Sequence, residues 1–198
     1  MILYDYNKKP IDKLYFNDPK RILMGLQNTV IDLINYKPYY NINDYTNLGL
    51  LHENNSIIKD EFSTKSKELS KLYFHDIDVW FDKNDNYFFY RCIDFPYTQN
   101  LLSQIPCIVE NSAIFAVMVG SHMIPPHKAE MNYYLRYQLT VINTDQGDKQ
   151  SWLEMENDKY YHEEGDSIVF DHSRNHSVYK HNTGVRVVLI ADIKRFNN

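Results

Sequence analysis

Two histidines, His127 and His176, lie 49 residues apart, and each is followed by an arginine in an apolar stretch, Arg136 nine residues after the first and Arg186 ten after the second. Imidazoles supplied by two separate strands can hold one metal ion and leave coordination positions open. Histidines alone are weak evidence, because the chain has eight and a random pair is more often surface or satisfied core. The arginines carry more information. A guanidinium on a buried strand must be paired, and its planar fork matches a carboxylate bidentately where lysine offers a point charge. From spacing alone two partners meet that need equally well: a bound dicarboxylate, or an internal salt bridge such as Arg186 with Asp166, Asp171 or Asp192. Strand alternation puts Arg136 on one face with Gln138, and Arg186 on one face with Val188 and Ile190.

The segments that must position these groups read as strands separated by turns. SAIFAVMV, YYLRYQLTVI, SWLEME, DSIVFD, HSVYKH and VRVVLIADI alternate with NTDQGDK, ENDK, EEG and NTG, which are good turn material. This spacing predicts a mainly β fold, a sandwich or jelly roll of the cupin-like, double-stranded β-helix kind, over 109–198. Alternation by itself does not fix strand order. Residues 1–108 read as a helical and mixed support packed on that core, the whole of 1–198 forming one domain. An amphipathic helix runs from about Asp18, as cap, through Pro19 to Tyr36, with Ile22, Leu23, Leu26, Val30, Leu33 and Ile34 at helical spacing. A weaker helix is expected over Asp60 to Leu72, a mixed aromatic stretch over Trp80 to Arg91, and a short helix over Asn100 to Gln104, ending at Pro106.

Bulk properties narrow the function classes. A formal net charge of -5 without a cluster of Lys and Arg offers no surface for phosphates, so nucleic acid is not an expected partner. The 17 tyrosines lack the basic groove that stacking platforms lie beside, and read as core residues with wet edges. Cys92 and Cys107 form no CxxC pair and read as buried free thiols. No apolar run approaches the ~20 residues a membrane helix needs, and MILYDYNKKP does not read as a signal peptide. The expectation is a soluble, cytoplasmic protein.

Two segments make the reading specific. GSHMIPPHKAEMNYYLRYQL, from Gly120 to Leu139, and FDHSRNH followed by VRVVLIAD resemble the aspartyl/asparaginyl β-hydroxylase family of 2-oxoglutarate-dependent oxygenases. That family's segments have the forms PG-x-H-x-x-PH-x-G-x-x-N-x-x-LR-x-H-L and FDDS-x-x-H, the second followed by an arginine and a hydrophobic strand ending in D. The resemblance covers roughly Ala113 to Ile193. It implies that His127 and His176 ligate iron(II) and that Arg186 grips the distal carboxylate of 2-oxoglutarate. Arg136 would lie near the carboxylate that chelates the metal, with Gln138 beside it. Asn132 and Leu135 match the motif as supports of the site. His122 matches a family histidine and reads as a packing or hydrogen-bonding residue, while His181 reads as a solvent-facing strand end.

Three positions depart from the commoner patterns. Ala129 stands where most iron oxygenases carry the carboxylate of His-x-Asp. The family has a non-ligating glycine there, so alanine fits a two-histidine site with a water in the vacant position. Glu130 would face the other way. Gln138 replaces a histidine and cannot carry positive charge, and His172 replaces the second aspartate of FDDS, leaving Asp171 as the acidic group nearby. The implied activity is hydroxylation of an unactivated carbon, first of all the β-carbon of Asp or Asn in a protein or peptide substrate. Substrate contacts are expected from the loop around Thr144 to Asp148 and from the N-terminal half. Alternatives of the same mechanism are hydroxylation of a lipid acyl chain or of a small molecule, and halogenation with chloride in the position Ala129 leaves. The non-enzymatic alternative is a cupin-like binding module in which His127, His172 and His176 hold a structural metal or none.

Overall fold

The computed structural model describes residues 19–35, 37–72, 86–129, 131–144 and 149–196. Asp18, Tyr36, Trp80, Glu130 and the tip of the loop at 145–148 lie outside the described residues. Helix α1 spans Pro19–Ile34, α2 Gly49–Glu53, α3 Asn55–Lys65 and α4 Pro96–Ser103. The strands are β1 Tyr39–Tyr40, β2 Tyr87–Arg91, β3 Ile114–Val119, β4 His122–His127, β5 Tyr134–Asn143, β6 Ser151–Met155, β7 Asp158–Tyr161, β8 Ser167–Phe170, β9 His176–Lys180 and β10 Val185–Lys194.

The strands form two antiparallel sheets, a six-stranded one in the order β1-β8-β5-β10-β3-β2 and a four-stranded one in the order β4-β9-β6-β7. This is the mainly β jelly roll that the strand and turn pattern predicts. Two strands, β1 and β2, come from the N-terminal half and complete the edges of the larger sheet. Strand β4 contains Pro125 and Pro126, which cannot donate to a ladder and are tolerated because β4 is the edge strand of its sheet. Its register with β9 shifts between Ile124 and His127. A two-residue hairpin joins β6 to β7, and its residues Glu156 and Asn157 both take positive φ, 50° and 74°; this is the primed turn that matches the twist of the flanking strands.

The larger sheet is buried on both faces. Towards the helices it presents Phe115, Val117, Leu135, Tyr137, Leu139, Val187 and Leu189, which pack with Leu51, Ile58, Phe62 and Phe95. Phe115 lies at the centre, 4.9 Å from the ring of Phe62 and 4.7 Å from that of Phe95. The alternate residues of the same strands point into the barrel, where a second apolar cluster joins Met118, Leu153, Met155, Ile168, Phe170 and Val178. Cys92 and Cys107 are free and buried.

The helices differ in extent from the sequence expectation for identifiable reasons. The expected Asn100 to Gln104 helix starts earlier, at Pro96, which supplies the fixed φ of a first turn. Its N-terminus is satisfied from a distance by Glu61 of α3, whose carboxylate accepts from Tyr97 N (2.7 Å), Thr98 N (2.9 Å) and Thr98 Oγ1 (2.7 Å). Helix α3 itself begins at Asn55 and ends at Lys65, not Leu72, and Leu72 instead bridges Phe89 of β2. Helix α1 is amphipathic but turns outward: Leu23, Leu26, Val30, Leu33 and Ile34 are exposed. Its polar side is anchored to the barrel, where Asn132 Nδ2 donates to Asn28 O (2.9 Å) and Asp32 Oδ1 (2.7 Å). Replacing Glu61 by Ala removes three hydrogen bonds to a charged acceptor and is expected to lower stability by about 2 to 3 kcal/mol, read as a reduced denaturation midpoint with an unchanged m-value.

Candidate functional site

His127 closes β4 and His176 opens β9, and the two are directly paired across that ladder. Their ring centroids are 4.1 Å apart at an interplanar angle of 49°. Each ring is oriented by a main-chain carbonyl two residues before it: His127 Nδ1 lies 3.0 Å from Pro125 O, and His176 Nδ1 lies 2.8 Å from Arg174 O. An Nδ1–H donated to a carbonyl assigns the lone pair of a neutral ring to Nε2, the arrangement that metal-bound histidines use. Burial keeps both rings neutral. It pulls His176 down to about 3, helped by His127 and Arg136 and opposed by the Arg174 carbonyl, and lowers His127 for the same first reason.

The pair opens onto a cavity of about 60 Å³ inside the barrel, bounded by Tyr87, Ala116, Ile124, Val178, Val188 and Ile190 as well as by Arg136, Gln138 and Arg186. Sequence expectation had placed both arginines and Gln138 here, and the structure brings them to the same chamber as the histidines. The arginines then diverge. Arg136 donates from Nε (3.1 Å) and Nη2 (2.9 Å) to Asp192 Oδ1, its cross-strand neighbour. Arg186 is buried and meets no carboxylate among the described residues: Nη1 donates to Ser151 Oγ (2.8 Å), Nη2 contacts Met118 Sδ (2.8 Å), and Nε has no partner. A salt bridge of Arg186 with Asp166, Asp171 or Asp192 is therefore not formed, and its charge faces the chamber uncompensated. Burial lowers its pKa to about 10, against an opposing contribution from Tyr87.

The remaining sequence-selected residues do not line this chamber. Asn132 and Leu135 are buried, and Asn132 clamps α1. His122 lies against the ring of Tyr87 at 5.6 Å. His181 is exposed and stacks on Tyr179. The main chain of Ala129 donates to His172 O at 2.8 Å, so His172 stands beside the position that lacks a carboxylate. Its ring is buried, and burial followed by Arg136 and His176 lowers its pKa to about 2. Asp171 is committed elsewhere: Oδ2 accepts from Arg195 Nη2 (2.6 Å) and Oδ1 from Ser173 N and Oγ. Among the described residues no three His, Cys, Asp or Glu side chains converge as a metal cluster.

Sequence reasoning missed Tyr87, Ser151, His162 and Arg195. Tyr87 sits in an aromatic run where nothing distinguishes it from Phe88 or Phe89, and the other three are isolated polar residues whose importance depends on long-range pairing. A larger cavity, about 750 Å³, lies beside α4; its charged groups are Arg91 and Glu110, and it holds no histidine. Size alone does not select the site.

Comparison with known proteins bears on the family and the fold. A family model of aspartyl/asparaginyl β-hydroxylases matches residues 50–196, and no curated protein matches. Among solved structures, an oxidoreductase of the 2OG-Fe(II) oxygenase family from Burkholderia pseudomallei is 12% identical, covering 72% of this chain and 79% of its own, with a TM-score of 0.53. A prolyl hydroxylase from Trichoplax adhaerens, in complex with a hypoxia-inducible-factor peptide fragment, is 12% identical over 89% of this chain and 91% of its own, with a TM-score of 0.51. A structure of the DMSP lyases RdDddP and RnDddQII, 7% identical over 81% and 77%, also has a TM-score of 0.51. At these identities the likeness establishes the fold, which hosts more than one chemistry.

The buried neutral rings give stability a defined pH dependence. A base whose folded pKa is depressed takes up protons first in the unfolded chain, so its contribution is complete above the unfolded value near 6.5 and is lost as pH falls towards the folded value. For His176 and His172 that window runs from about 6.5 down to about 3 and about 2. Between pH 7 and pH 5 the metal-free protein is expected to lose on the order of 2 kcal/mol for each such ring. Urea titrations at the two pH values check this, and His172→Asn should remove one ring's share of the difference.

Proposed function

The chain belongs to the aspartyl/asparaginyl β-hydroxylase family of 2-oxoglutarate-dependent hydroxylases, and on that premise we propose that His127 and His176 hold its iron(II) and that it hydroxylates the β-carbon of an Asp or Asn residue in a protein or peptide. The observation that carries the reading is the cross-strand histidine pair with both Nδ1 atoms engaged by main-chain carbonyls. Two imidazoles presenting Nε2 lone pairs suit a divalent iron, and Ala129 leaves a coordination position for a small ligand such as water. The second supporting observation is Arg186, a buried cation without a carboxylate, which an anionic co-substrate would satisfy.

With 2-oxoglutarate and dioxygen, the iron supplies an oxidant able to place oxygen on an unactivated C–H bond, 2-oxoglutarate leaving as succinate and carbon dioxide. The chain's own residues bind and aim. Arg186, held by Ser151, would receive the distal carboxylate, while Arg136, its charge shared with Asp192, acts on both histidines and Gln138 lines the same chamber. Ile124, Val178, Val188 and Ile190 line the walls with aliphatic surface that limits water around the reacting groups. A peptide substrate accords with the family, and the fold-level relative from Trichoplax adhaerens is itself bound to a peptide.

Anaerobic titration tests the assignment. Iron(II)-loaded wild type is expected to bind 2-oxoglutarate with a new charge-transfer absorption, and on exposure to air to form succinate with an added oxygen on an Asp- or Asn-containing peptide. His176→Ala should lose iron binding. Arg186→Ala should keep it and weaken 2-oxoglutarate binding by about a hundredfold, the magnitude of removing a charge-assisted bidentate contact. Wild type that binds no iron(II) and forms no succinate refutes the mechanism; a mass gain on an acyl chain or a small molecule, with none on any Asp or Asn peptide, refutes the substrate class.

A further inference from the structure

Behind Arg186 lies a set of polar side chains that the histidine and arginine motifs do not contain. Thr140 and Asn143 come from β5, Ser151 from β6, and His162 follows β7 directly. His162 is 3% exposed, and its main chain is fixed at both ends: its N–H donates to Ser151 O at 2.9 Å, and its carbonyl accepts from Asn143 Nδ2. Its Nδ1 is 3.1 Å from Thr140 Oγ1, and its Nε2 is buried without a partner. Ser151 therefore joins the two groups, receiving the His162 N–H on its carbonyl and the Arg186 Nη1–H on its hydroxyl.

The layering is visible in the cavities. The chamber that opens from the histidine pair is bounded by Arg186 and does not reach His162. A separate void of about 10 Å³ touches Ser151, Asn143 and His162 but not Arg186. That void is also lined by the exposed Lys149, Gln150 and Glu163, so from the chamber towards the surface the order is Arg186 with Ser151, then His162.

We propose that His162 is a positioning residue for Arg186: a buried neutral imidazole that backs the guanidinium, closes the barrel behind it, and thereby sets the length of dicarboxylate the chamber accepts. This rests on the functional reading above, in which Arg186 receives the distal carboxylate. The chemistry of the residue type fits the role. An acidic side chain here would pair with Arg186 and cancel the charge meant for a ligand, whereas an aliphatic one would leave the buried Thr140 hydroxyl without its partner on the ring. A neutral ring does neither. Burial and the nearby Arg186 charge both hold His162 in that neutral form. Its Nε2 and Arg186 Nε are both buried polar atoms lacking partners, so neither group's charge or lone pair is cancelled by the other.

The test uses full-length protein loaded with manganese(II) and titrated calorimetrically with 2-oxoglutarate and with 2-oxoadipate, which is one methylene longer. Wild type is expected to prefer 2-oxoglutarate. His162→Ala should weaken 2-oxoglutarate at least tenfold and reduce the preference over 2-oxoadipate, with manganese affinity within twofold of wild type. His162→Gln, which keeps a neutral polar group of similar reach, should restore 2-oxoglutarate binding to within about threefold. Unchanged dicarboxylate affinity and length preference in His162→Ala overturn the proposal, as does a parallel loss of metal binding, dicarboxylate binding and melting temperature in both variants. If His162→Ala does not fold, His162→Asn takes its place in the same comparison, with the same outcomes deciding. Wild type that binds manganese(II) but neither dicarboxylate overturns the co-substrate reading itself, a result distinct from variants that bind as wild type does.

Discussion

The orientation of His176 traces back to one buried ion pair, Arg195 with Asp171. Both side chains are almost fully buried, at 0% and 1% exposure, and Nη2 lies 2.6 Å from Oδ2. Taking two charges out of water is unfavourable unless their remaining hydrogen-bonding groups are used, and here they are. Arg195 Nε donates to Asn132 O (2.6 Å), and Nη1 to Asn35 O (3.2 Å) and to the Tyr40 hydroxyl. Asp171 in turn accepts from Ser173 and donates its N–H to Pro38 O. One guanidinium thus ties together the end of α1, strand β1, the approach to β5 and the loop that leads into β9. From Asp171 the constraint passes to Arg174, whose N–H donates to Asp171 O and whose carbonyl holds His176 Nδ1. The orientation of a site imidazole is therefore set by a charge pair contributed by the far ends of two other segments.

The second constraint is that the six-stranded sheet has two buried faces with different duties. Residues 135, 137, 139 and 141 of β5 and 187, 189, 191 and 193 of β10 pack towards the helices and are apolar. The opposite parity carries Arg136, Gln138, Thr140 and Arg186 among aliphatic residues. A period of two converts sequence order into this separation, so polar residues in one parity of an otherwise apolar strand mark the face that meets a ligand. Cross-strand neighbours then decide what each cation does. Opposite Arg136 stands Asp192; opposite Arg186 stand Asn143 and Met118, which are neutral. Two arginines at almost the same spacing from a histidine acquire different roles because of one carboxylate in the register.

This accounts for what was legible in the sequence. The histidines, the arginines and most of the strands of the second half were readable, since each depends on local pattern or short spacing. Strand β4 was hidden because Pro125 and Pro126 argue against a strand anywhere except at an edge, and edge position is a property of the sheet. The fate of Arg186 was undecidable between salt bridge and ligand because it depends on register. Arg195 and His162 had no local signature, their partners being 24 residues and more away for Arg195 and 11 away in the case of Ser151 for His162. The apolar spacing of α1 predicted an amphipathic helix, and the structure attaches it through Asn28, Asp32 and the buried Ile31 while Leu23, Leu26, Val30, Leu33 and Ile34 stay exposed. Hydrophobic periodicity identified that helix without indicating which side meets the barrel.

Two departures from the family's sequence pattern look independent along the chain but act on the same charge balance. Gln138 stands where a histidine is common, which removes a group able to be positive, and His172 stands where an aspartate is common, which removes a negative one. His172 does not restore positive charge, because burial and the surrounding cations hold its ring neutral. The chamber therefore keeps two permanent cations, Arg136 and Arg186, one of them already paired with Asp192, and a histidine pair that is itself neutral. A divalent metal held by such a pair with no carboxylate ligand would retain its full charge, and that charge together with the unpaired guanidinium calls for a dianion spanning the distance between them. A dicarboxylate is the simplest ligand that satisfies both ends at once, and the compensating substitutions preserve that requirement.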